Sequence, residues 1–550
     1  MTLRDEARDG GADGGALGEG FPAIDDQRWR TRVGEELRGA PFESLVSTLP
    51  GGIEVQPLYH QRPWGDGEAP QALPGVSPFV RGARPAGESG AWLRCARVAA
   101  PDLDAAKVAL AADLRGGCDG LWLRLDIPAS PPAELPVGAV EHVGGGDEPR
   151  SDGIPIGTPE ALAALLADVD LERVAIFLDA GAGSLAGAGF ALQVLRLRGA
   201  ESGEARLFLG IDPIGELAAE GALPDTLDRC EAAMAALATH CAAELPRSRA
   251  VTVSALPWHD AGATPAQELG WAFAALVRSL RRMEEAGLDV ETAAGQIVLR
   301  VAVGRDFFLG IAKLRALRRL WAKLLAACGA ADPPAPFVHA VSSDFALTRR
   351  DPWTNLLRVT TEVFAAVTGG ADAITAAPYD RLLRSADDPA GSRLGRRIAR
   401  NTQHVLSEEA HLGRVADPAG GSYYLETLTD ELARAAWDEM RRVEASGGIA
   451  EHLRSGRLGE EAEAAWRARR RVLVEGNEAV LGVSVYSPPE GERAEELDAD
   501  GGRRSPSSRR TRGILAGEVL EPLPRHRLAE PFEDEGVAPP AGAGTAEESA

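Results

Sequence analysis

The chain has 550 residues, 45% of them hydrophobic, and its 59 Lys and Arg residues against 82 Asp and Glu residues give a net charge of −23. A surface this acidic repels phosphate backbones and anionic headgroups, which argues against binding to nucleic acid or to a membrane surface. Because the sequence has no run of about 18 apolar residues and no apolar segment at its N-terminus, we expect neither a membrane span nor a secretory signal, and we predict a cytoplasmic protein.

The two ends of the chain are predicted to lack stable structure. Residues 1–28 are rich in Asp and Gly, and residues 487–550 form a linker-like tail that is mostly polar. Neither stretch buries enough apolar surface to offset the entropy of ordering. Within the tail, Gly513–Phe532 has more apolar character, and we expect this segment to pack on a neighbour.

Residues 91–390 alternate short β-rich runs with longer helical segments. Runs such as Val174–Leu178 and Leu207–Ile211 are almost continuously apolar, which is typical of strands buried on both faces of a parallel sheet. About eight strand–helix units predict an α/β fold, a (β/α)8 TIM-type barrel, while a doubly wound open sheet stays open as the alternative. The predicted strands are Trp92–Ala96, Gly120–Ile127, Arg173–Ala180, Ala205–Ile211, Ala250–Ala255, Gln296–Val303, Phe337–Ser342 and Ala371–Ala377.

Helical spacing of apolar residues marks segments between the strands and beyond the last one. The clearest predicted helices are Thr158–Val169, Ala266–Ala286, Phe307–Ala327, Leu394–Leu412 and Thr427–Ser446. The last two are separated by a Gly-rich turn and follow the final strand. We therefore predict a C-terminal helical extension over residues 391–486.

Several segments of the chain resemble the methylmalonyl-CoA mutase family. The most specific are Ile398–Glu409 (IARNTQHVLSEE) and Arg414–Tyr424 (RVADPAGGSYY), and the resemblance runs from about Trp29 to about Val485. In that family a barrel holds an acyl-CoA along its axis, and a flavodoxin-like domain binds the adenosylcobalamin that starts the carbon-skeleton rearrangement. Further matches are Val55–Tyr59, Leu73–Gly82, Ala261–Ala263, Phe307–Lys323, Thr348–Asn355 and Leu523–Phe532.

The chain departs from the catalytic members of the family. None of its nine histidines stands in a D-x-H sequence, the pattern of the cobalt ligand, so we expect no flavodoxin-like cobalamin domain. Ala83–Trp92 lacks the family's substrate tyrosine, Pro257 replaces its histidine after strand five, and Ile211–Glu216 lacks its N-D-x-L-K-E segment. Bulky residues in strands two and three predict a barrel with a closed core.

The resemblance implies the role of a small, non-catalytic subunit in a heterodimeric methylmalonyl-CoA mutase, which interconverts methylmalonyl-CoA and succinyl-CoA. On this interpretation the chain binds no cofactor itself, while adenosylcobalamin and the acyl-CoA bind to a large catalytic subunit. An N-terminal arm, residues 29–90, would wrap that partner. Two alternatives stay open: a stand-alone barrel enzyme with remodelled chemistry, and a mutase barrel served by a separate cobalamin-binding protein.

Four residues at predicted strand ends are candidates for chemistry. His259 follows strand five, where barrel enzymes place catalytic groups, although a hydrogen-bonded rim histidine beside Asp260 is the alternative. Asp126, Asp179 and Asp212 also end strands, which would suit a ring of metal ligands. Their alternative roles are to cap helices or to pair with arginines, and we assign no metal ligand.

Two further sets of residues have simple interpretations. The five cysteines are scattered without a C-x-x-C pair, which favours buried free thiols over a zinc site or a disulfide framework. The predicted helix Phe307–Ala327 carries basic residues that either pair within the chain or contact the partner. These residues are Lys313, Arg315, Arg318, Arg319 and Lys323.

Overall fold

The computed structural model describes residues 25–60, 73–85, 92–127, 153–199, 202–383, 391–489 and 517–540. The chain forms two compact units, Met1–Tyr59 and His60–Ala550. In the first unit, helix α1 (Asp26–Glu36) begins within the stretch predicted to be unstructured, because the Asp25 carboxylate accepts a hydrogen bond from the Arg28 amide. The rest of that prediction, residues 1–24, lies outside the described residues. A 3-10 turn and a two-residue strand pair follow, at Phe42–Leu45 and at Ser47–Thr48 with Glu54–Val55.

Eight parallel strands close into a barrel in the second unit. Each strand pairs with the next one along the chain, and the last pairs with the first through Ala373–Thr375 and Leu93–Cys95. This closure confirms the predicted barrel and rules out the open sheet, because an open sheet would leave two unpaired edges. The strands are β1 (Leu93–Val98), β2 (Gly120–Asp126), β3 (Ala175–Asp179), β4 (Leu207–Ile211), β5 (Arg249–Ser254), β6 (Ile297–Val303), β7 (Phe337–Ser342) and β8 (Ala373–Thr375).

Helices cover the outside of the barrel and are positioned by side-chain caps. Thr264 begins the helix after β5 with a capping box, in which its hydroxyl and the Gln267 side chain satisfy each other's backbone amides. Asp306 caps the helix after β6, which runs over the predicted range. The helices up to β8 are α2 (Leu103–Arg115), α3 (Pro159–Leu165), α4 (Ser184–Arg198), α5 (Pro213–Glu220), α6 (Leu227–Glu244), α7 (Leu256–Asp260), α8 (Pro265–Glu285), α9 (Val290–Gly295), α10 (Phe307–Ala327) and α11 (Thr354–Thr368).

A helical layer follows the last strand, as the sequence indicates. The predicted helix Leu394–Leu412 ends earlier as an α-helix and continues as a π-helical turn over Val405–Glu409. The helices of this layer are α12 (Arg393–His404), α13 (Tyr423–Ala445), α14 (Gly448–Arg454) and α15 (Arg457–Val474). Among the described residues, no helix is long and apolar enough to cross a bilayer.

Helix α13 packs across α8 and α10, and ion pairs hold it there. Arg315 is fully buried and binds Asp417 and Glu426, while Arg319 binds Asp430 at 3.0 Å. Lys313 binds Glu268 of α8 and so joins α10 to α8, and Lys323 lies over the Trp437 ring of α13 at 4.6 Å. The basic residues of α10 are therefore paired within the chain, which is the first of the two interpretations offered by the sequence.

Two segments outside the predicted barrel lie against it. In the segment 73–85, the carbonyl of Phe79 accepts a hydrogen bond of 2.8 Å from buried Arg318. This part of the predicted arm thus contacts the barrel of its own chain. Residues 517–540 form a strap on the barrel: Leu520 and Leu523 donate backbone hydrogen bonds to the end of α5, and Phe532 is buried. The described part of the apolar segment Gly513–Phe532 therefore packs, as expected, and it packs on its own chain. The domain boundaries inferred from the sequence stay a prediction.

Candidate functional site

Large rings fill the barrel axis at its middle. Phe177 of β3 and Phe208 of β4 stack with ring centroids 4.2 Å apart, and Phe337 of β7 lies 4.9 Å from Phe208. His339 of β7 lies 4.7 Å from Phe177 and 5.6 Å from Trp122 of β2. Trp122, Phe177 and Phe208 come from the neighbouring strands β2, β3 and β4, and Phe337 and His339 come from β7 on the other side of the ring. The described barrel is therefore a packed core of side chains, as the bulky strand residues predicted.

His339 sits inside this core without a charge. Its Nε2 lies 2.8 Å from the Thr375 hydroxyl, and its Nδ1 makes no hydrogen bond to the described residues. Burial, reinforced by the positive charge of Arg300, holds the pKa of His339 well below its usual range. The histidine is therefore a neutral packing residue at the pH of most cells.

Toward the carboxyl ends of the strands, the inward side chains change from apolar to charged. On β2, Trp122 is followed two residues later by Arg124, and on β6, Val298 is followed by Arg300. Because strand side chains alternate faces, both members of each pair point into the barrel. The axis therefore consists of an apolar plug and a charged mouth above it.

A cavity of about 190 Å³ occupies this mouth. Below the cavity, the guanidinium groups of Arg97 and Arg300 lie 4.8 and 4.7 Å from the Trp122 ring centroid. These distances are in the range of a cation–π contact. Arg124 binds Asp179 at 2.7 Å and Glu220 at 3.4 Å. The charged residues that line the cavity are Arg97, Arg124, Arg300, Arg381, Arg525, Asp179, Asp212, Glu216, Glu220, Asp260 and Asp344.

The strand-end aspartates serve as caps and ion-pair partners. Asp212 caps α5 by accepting a hydrogen bond from the Gly215 amide, and it accepts another from the Ser254 amide, both at 2.9 Å. Burial raises the pKa of Asp212 to about 6, although these two hydrogen bonds oppose the shift. Asp179 pairs with Arg124, and the described residues contain no group of three or more His, Cys, Asp or Glu side chains that could hold a metal ion. The cap and ion-pair interpretations thus hold for Asp212 and Asp179.

His259, the one catalytic candidate named from the sequence, belongs to a hydrogen-bonded network on the rim. Its Nδ1 lies 3.0 Å from Glu268 and its Nε2 lies 2.7 Å from the Ser343 hydroxyl. The hydrogen-bonded carboxylate is Glu268 of α8 and not the neighbouring Asp260, and Glu268 also binds Lys313 at 2.8 Å. With both ring nitrogens bonded, His259 has the contacts of the hydrogen-bonded rim histidine that the sequence offered as the alternative.

Four of the five cysteines are buried free thiols, as predicted, and Cys328 is exposed.

The residue that the sequence analysis missed is Arg300. A signal existed, because a single arginine interrupts the otherwise apolar strand Ile297–Val303 on its inward side. Periodicity alone does not say which face of a doubly buried strand points inward, so this signal needed the closed ring.

The fold and the apolar plug below the mouth define a (β/α)8 barrel whose axis is closed to a long ligand. The sequence profile described as methylmalonyl-CoA mutase matches residues 48–511, and the chain belongs to that family. The chain is 39% identical over 483 residues to the methylmalonyl-CoA mutase small subunit of Streptomyces virginiae, covering 86% of this chain and 72% of the relative. It is 32% identical over 535 residues to the small subunit of Propionibacterium freudenreichii subsp. shermanii, covering 94% and 75%. A methylmalonyl-CoA mutase of Escherichia coli (strain K12) is 26% identical over 489 residues, covering 86% and 66%.

The described residues do not fit the ligands of a catalytic mutase barrel. The arm of an acyl-CoA would need the axial space that Phe177, Phe208 and Trp122 fill. No catalytic step is therefore derived for this barrel.

Proposed function

We propose that this chain is the non-catalytic small subunit of an adenosylcobalamin-dependent methylmalonyl-CoA mutase. It forms a heterodimer with a large catalytic subunit, and the acyl-CoA and the cofactor bind to that partner. The aromatic plug across the barrel axis is the observation that carries the proposal, together with Pro257 in place of the family's histidine. The names of the two similar small subunits support the same role.

An uncharged stripe on α11 suits the contact with the partner. Trp353, Leu357 and Phe364 lie four and seven residues apart on one face, and Trp353 and Leu357 are 61% and 66% exposed. The other exposed residues of this helix, Thr360 and Thr361, are uncharged as well. An apolar face of this kind is costly to leave in water and is typical of a protein interface.

Phe364 extends the stripe into neighbouring helices. Its ring lies 4.9 Å from Phe307 at the start of α10, and Phe308 lies 5.4 Å from Tyr424 at the start of α13. Phe308 is itself 47% exposed. The rings of this surface therefore belong to three helices, α10, α11 and α13.

Co-expression with the large subunit of the same organism tests the proposal. We expect the two chains to elute together in size-exclusion chromatography, and we expect turnover of methylmalonyl-CoA only when the large subunit is present. Two chains that elute separately would contradict the heterodimer. Turnover by this chain with adenosylcobalamin alone, or with a free cobalamin-binding protein, would instead favour one of the two alternatives.

Leu357→Asp tests the stripe directly. Placing a carboxylate in an apolar interface should weaken the complex at least about tenfold, as loss of an interface hot spot does. Val108→Asp is the matched control, because Val108 is 69% exposed and no other large apolar residue of α2 is exposed. Equal affinities of both variants, measured by titration calorimetry after each is shown to be folded, would place the interface elsewhere.

A further inference from the structure

Arg300 is a buried cation whose side chain makes no hydrogen bond or ion pair to the described residues. It is 6% exposed, its Nε is buried without a hydrogen-bond partner, and its contact is the face of Trp122. An arginine keeps its charge under nearly all conditions, and a buried charge without a hydrogen-bonded partner is unfavourable. The position therefore calls for an anion that the chain itself does not place there.

The carboxylates near Arg300 are already engaged. Asp179 accepts a hydrogen bond from Arg124, and Asp212 accepts two from backbone amides. Burial lowers the pKa of Arg300, and Asp179 and Asp212 offset this only by their charges at a distance. The two carboxylates lower the free-energy cost of burying the guanidinium without accepting a hydrogen bond from it.

Burial lowers the tendency of three acidic groups of the cavity to carry a negative charge. Five arginines and six acidic groups line the cavity, and burial raises the pKa of three of the acidic groups. The pKa of Asp212 rises to about 6, that of Glu216 rises well above its usual range, and that of Asp260 also rises. The arginines keep their full charge, so the mouth is more positive than a count of side chains suggests.

The remaining walls select the kind of anion. Leu256, Pro257, Ala302, Val341 and Ala376 line the cavity beside the charged groups. A volume of about 190 Å³ is comparable to the roughly 150 Å³ cavity that admits benzene, and it is far too small for an acyl-CoA. The site thus combines a planar cationic fork with a short apolar wall.

We propose that the cavity above Trp122 binds a short-chain aliphatic monocarboxylate, whose carboxylate contacts the Arg300 guanidinium and whose alkyl chain lies against the apolar wall. A guanidinium matches a carboxylate with two parallel hydrogen bonds. The strap residue Arg525 also lines the cavity, so the strap closes one side of the site. This site is independent of the proposed heterodimer and of the partner's acyl-CoA.

Titration of the purified full chain with sodium butyrate tests the site, with butyramide as an uncharged ligand of the same shape. We expect butyrate to bind with a saturable heat and to raise the melting temperature at constant ionic strength. Butyramide and inorganic phosphate should have at least tenfold weaker effects. Equal effects of butyrate and butyramide would refute the role of the charge, and equal effects of butyrate and phosphate would refute the alkyl contact.

Two variants locate the binding. Arg300→Met should abolish the response to butyrate, while Arg249→Met should keep it, because Arg249 is a barrel arginine at the opposite end, where it donates to the Ile297 carbonyl. If Arg300→Met does not fold, Ala377→Leu provides the second test by filling the cavity with Arg300 intact. Unchanged butyrate binding in Arg300→Met, or in Ala377→Leu, would overturn the proposal.

Discussion

Replacing Lys313 by methionine tests a buried ionic network of the described barrel. The Lys313 ammonium lies 2.8 Å from both oxygens of Glu268, and the two side chains are 5% and 1% exposed. His259 is the second partner of Glu268, at 3.0 Å. Methionine keeps most of the volume and removes the charge, so the change leaves a buried carboxylate with one partner.

The expected loss of stability follows from that burial. Removing one member of a buried ion pair costs about 3–5 kcal/mol, because the other charge stays buried without compensation. Since His259 still contacts Glu268, we expect a value near the lower end, about 3 kcal/mol at pH 7. Such a loss is a large part of the roughly 5–15 kcal/mol by which domains are stable. Urea unfolding followed by circular dichroism measures it.

The pH dependence of the stability difference shows whether the loss comes from the charge of Glu268. Burial alone would raise the pKa of Glu268, but Lys313 and His259 outweigh burial and hold that pKa below its ordinary value of 4.5. In the wild type, the stability from this pair is present above pH 4.5 and is lost as the pH falls through the lower folded pKa. Without Lys313, burial raises the pKa, so the variant gains stability as it protonates. The difference between the two proteins should therefore shrink from pH 7 toward pH 4.

Lys323→Met is the matched control on the same helix. Lys323 lies over the Trp437 ring at the surface, and its loss should cost no more than about 1 kcal/mol at any pH. A Lys313→Met protein as stable as this control would refute the argument. So would a stability difference that stays constant between pH 7 and pH 4, since the cost would then not come from the charge of Glu268.

Three further outcomes are expected from the described structure. Phe177→Ala should lower the free energy of unfolding by about 3–5 kcal/mol in urea denaturation, because it removes a fully buried ring that stacks on Phe208. A thiol reagent should label one cysteine of the native chain, Cys328, and all five after denaturation. Burial protects the other thiols and raises the pKa of Cys118, Cys230 and Cys241 to about 12. Labelling of these buried thiols in the native state would contradict their burial. Asp212→Asn should flatten the pH dependence of stability, because the folded pKa of about 6 exceeds the ordinary 3.8, so the wild type loses stability as pH rises from 3.8 through 6. Identical pH profiles for the wild type and Asp212→Asn would show that this carboxyl is not the titrating group.

The sequence by itself determined the elements and the family. All eight strands of the barrel lie where apolar runs predicted them, because a parallel strand buried on both faces requires such a run. Helix α10 has its predicted bounds, since Asp306 caps its start and the apolar spacing runs to Ala327. Caps and periodicity act within a few residues of one another, so they can be recognised without knowing the fold.

Only the tertiary structure decided which distant side chains meet. Closure of the ring through β8 and β1 aims Arg300 at Trp122, and no local pattern states that an arginine of strand six faces a tryptophan of strand two. The hydrogen-bonded carboxylate of His259 is Glu268, on the next long helix, and not the Asp260 beside it in the sequence. The charge and cavity of the mouth depend on these remote contacts, since burial and pairing are properties of the assembled barrel and not of any segment.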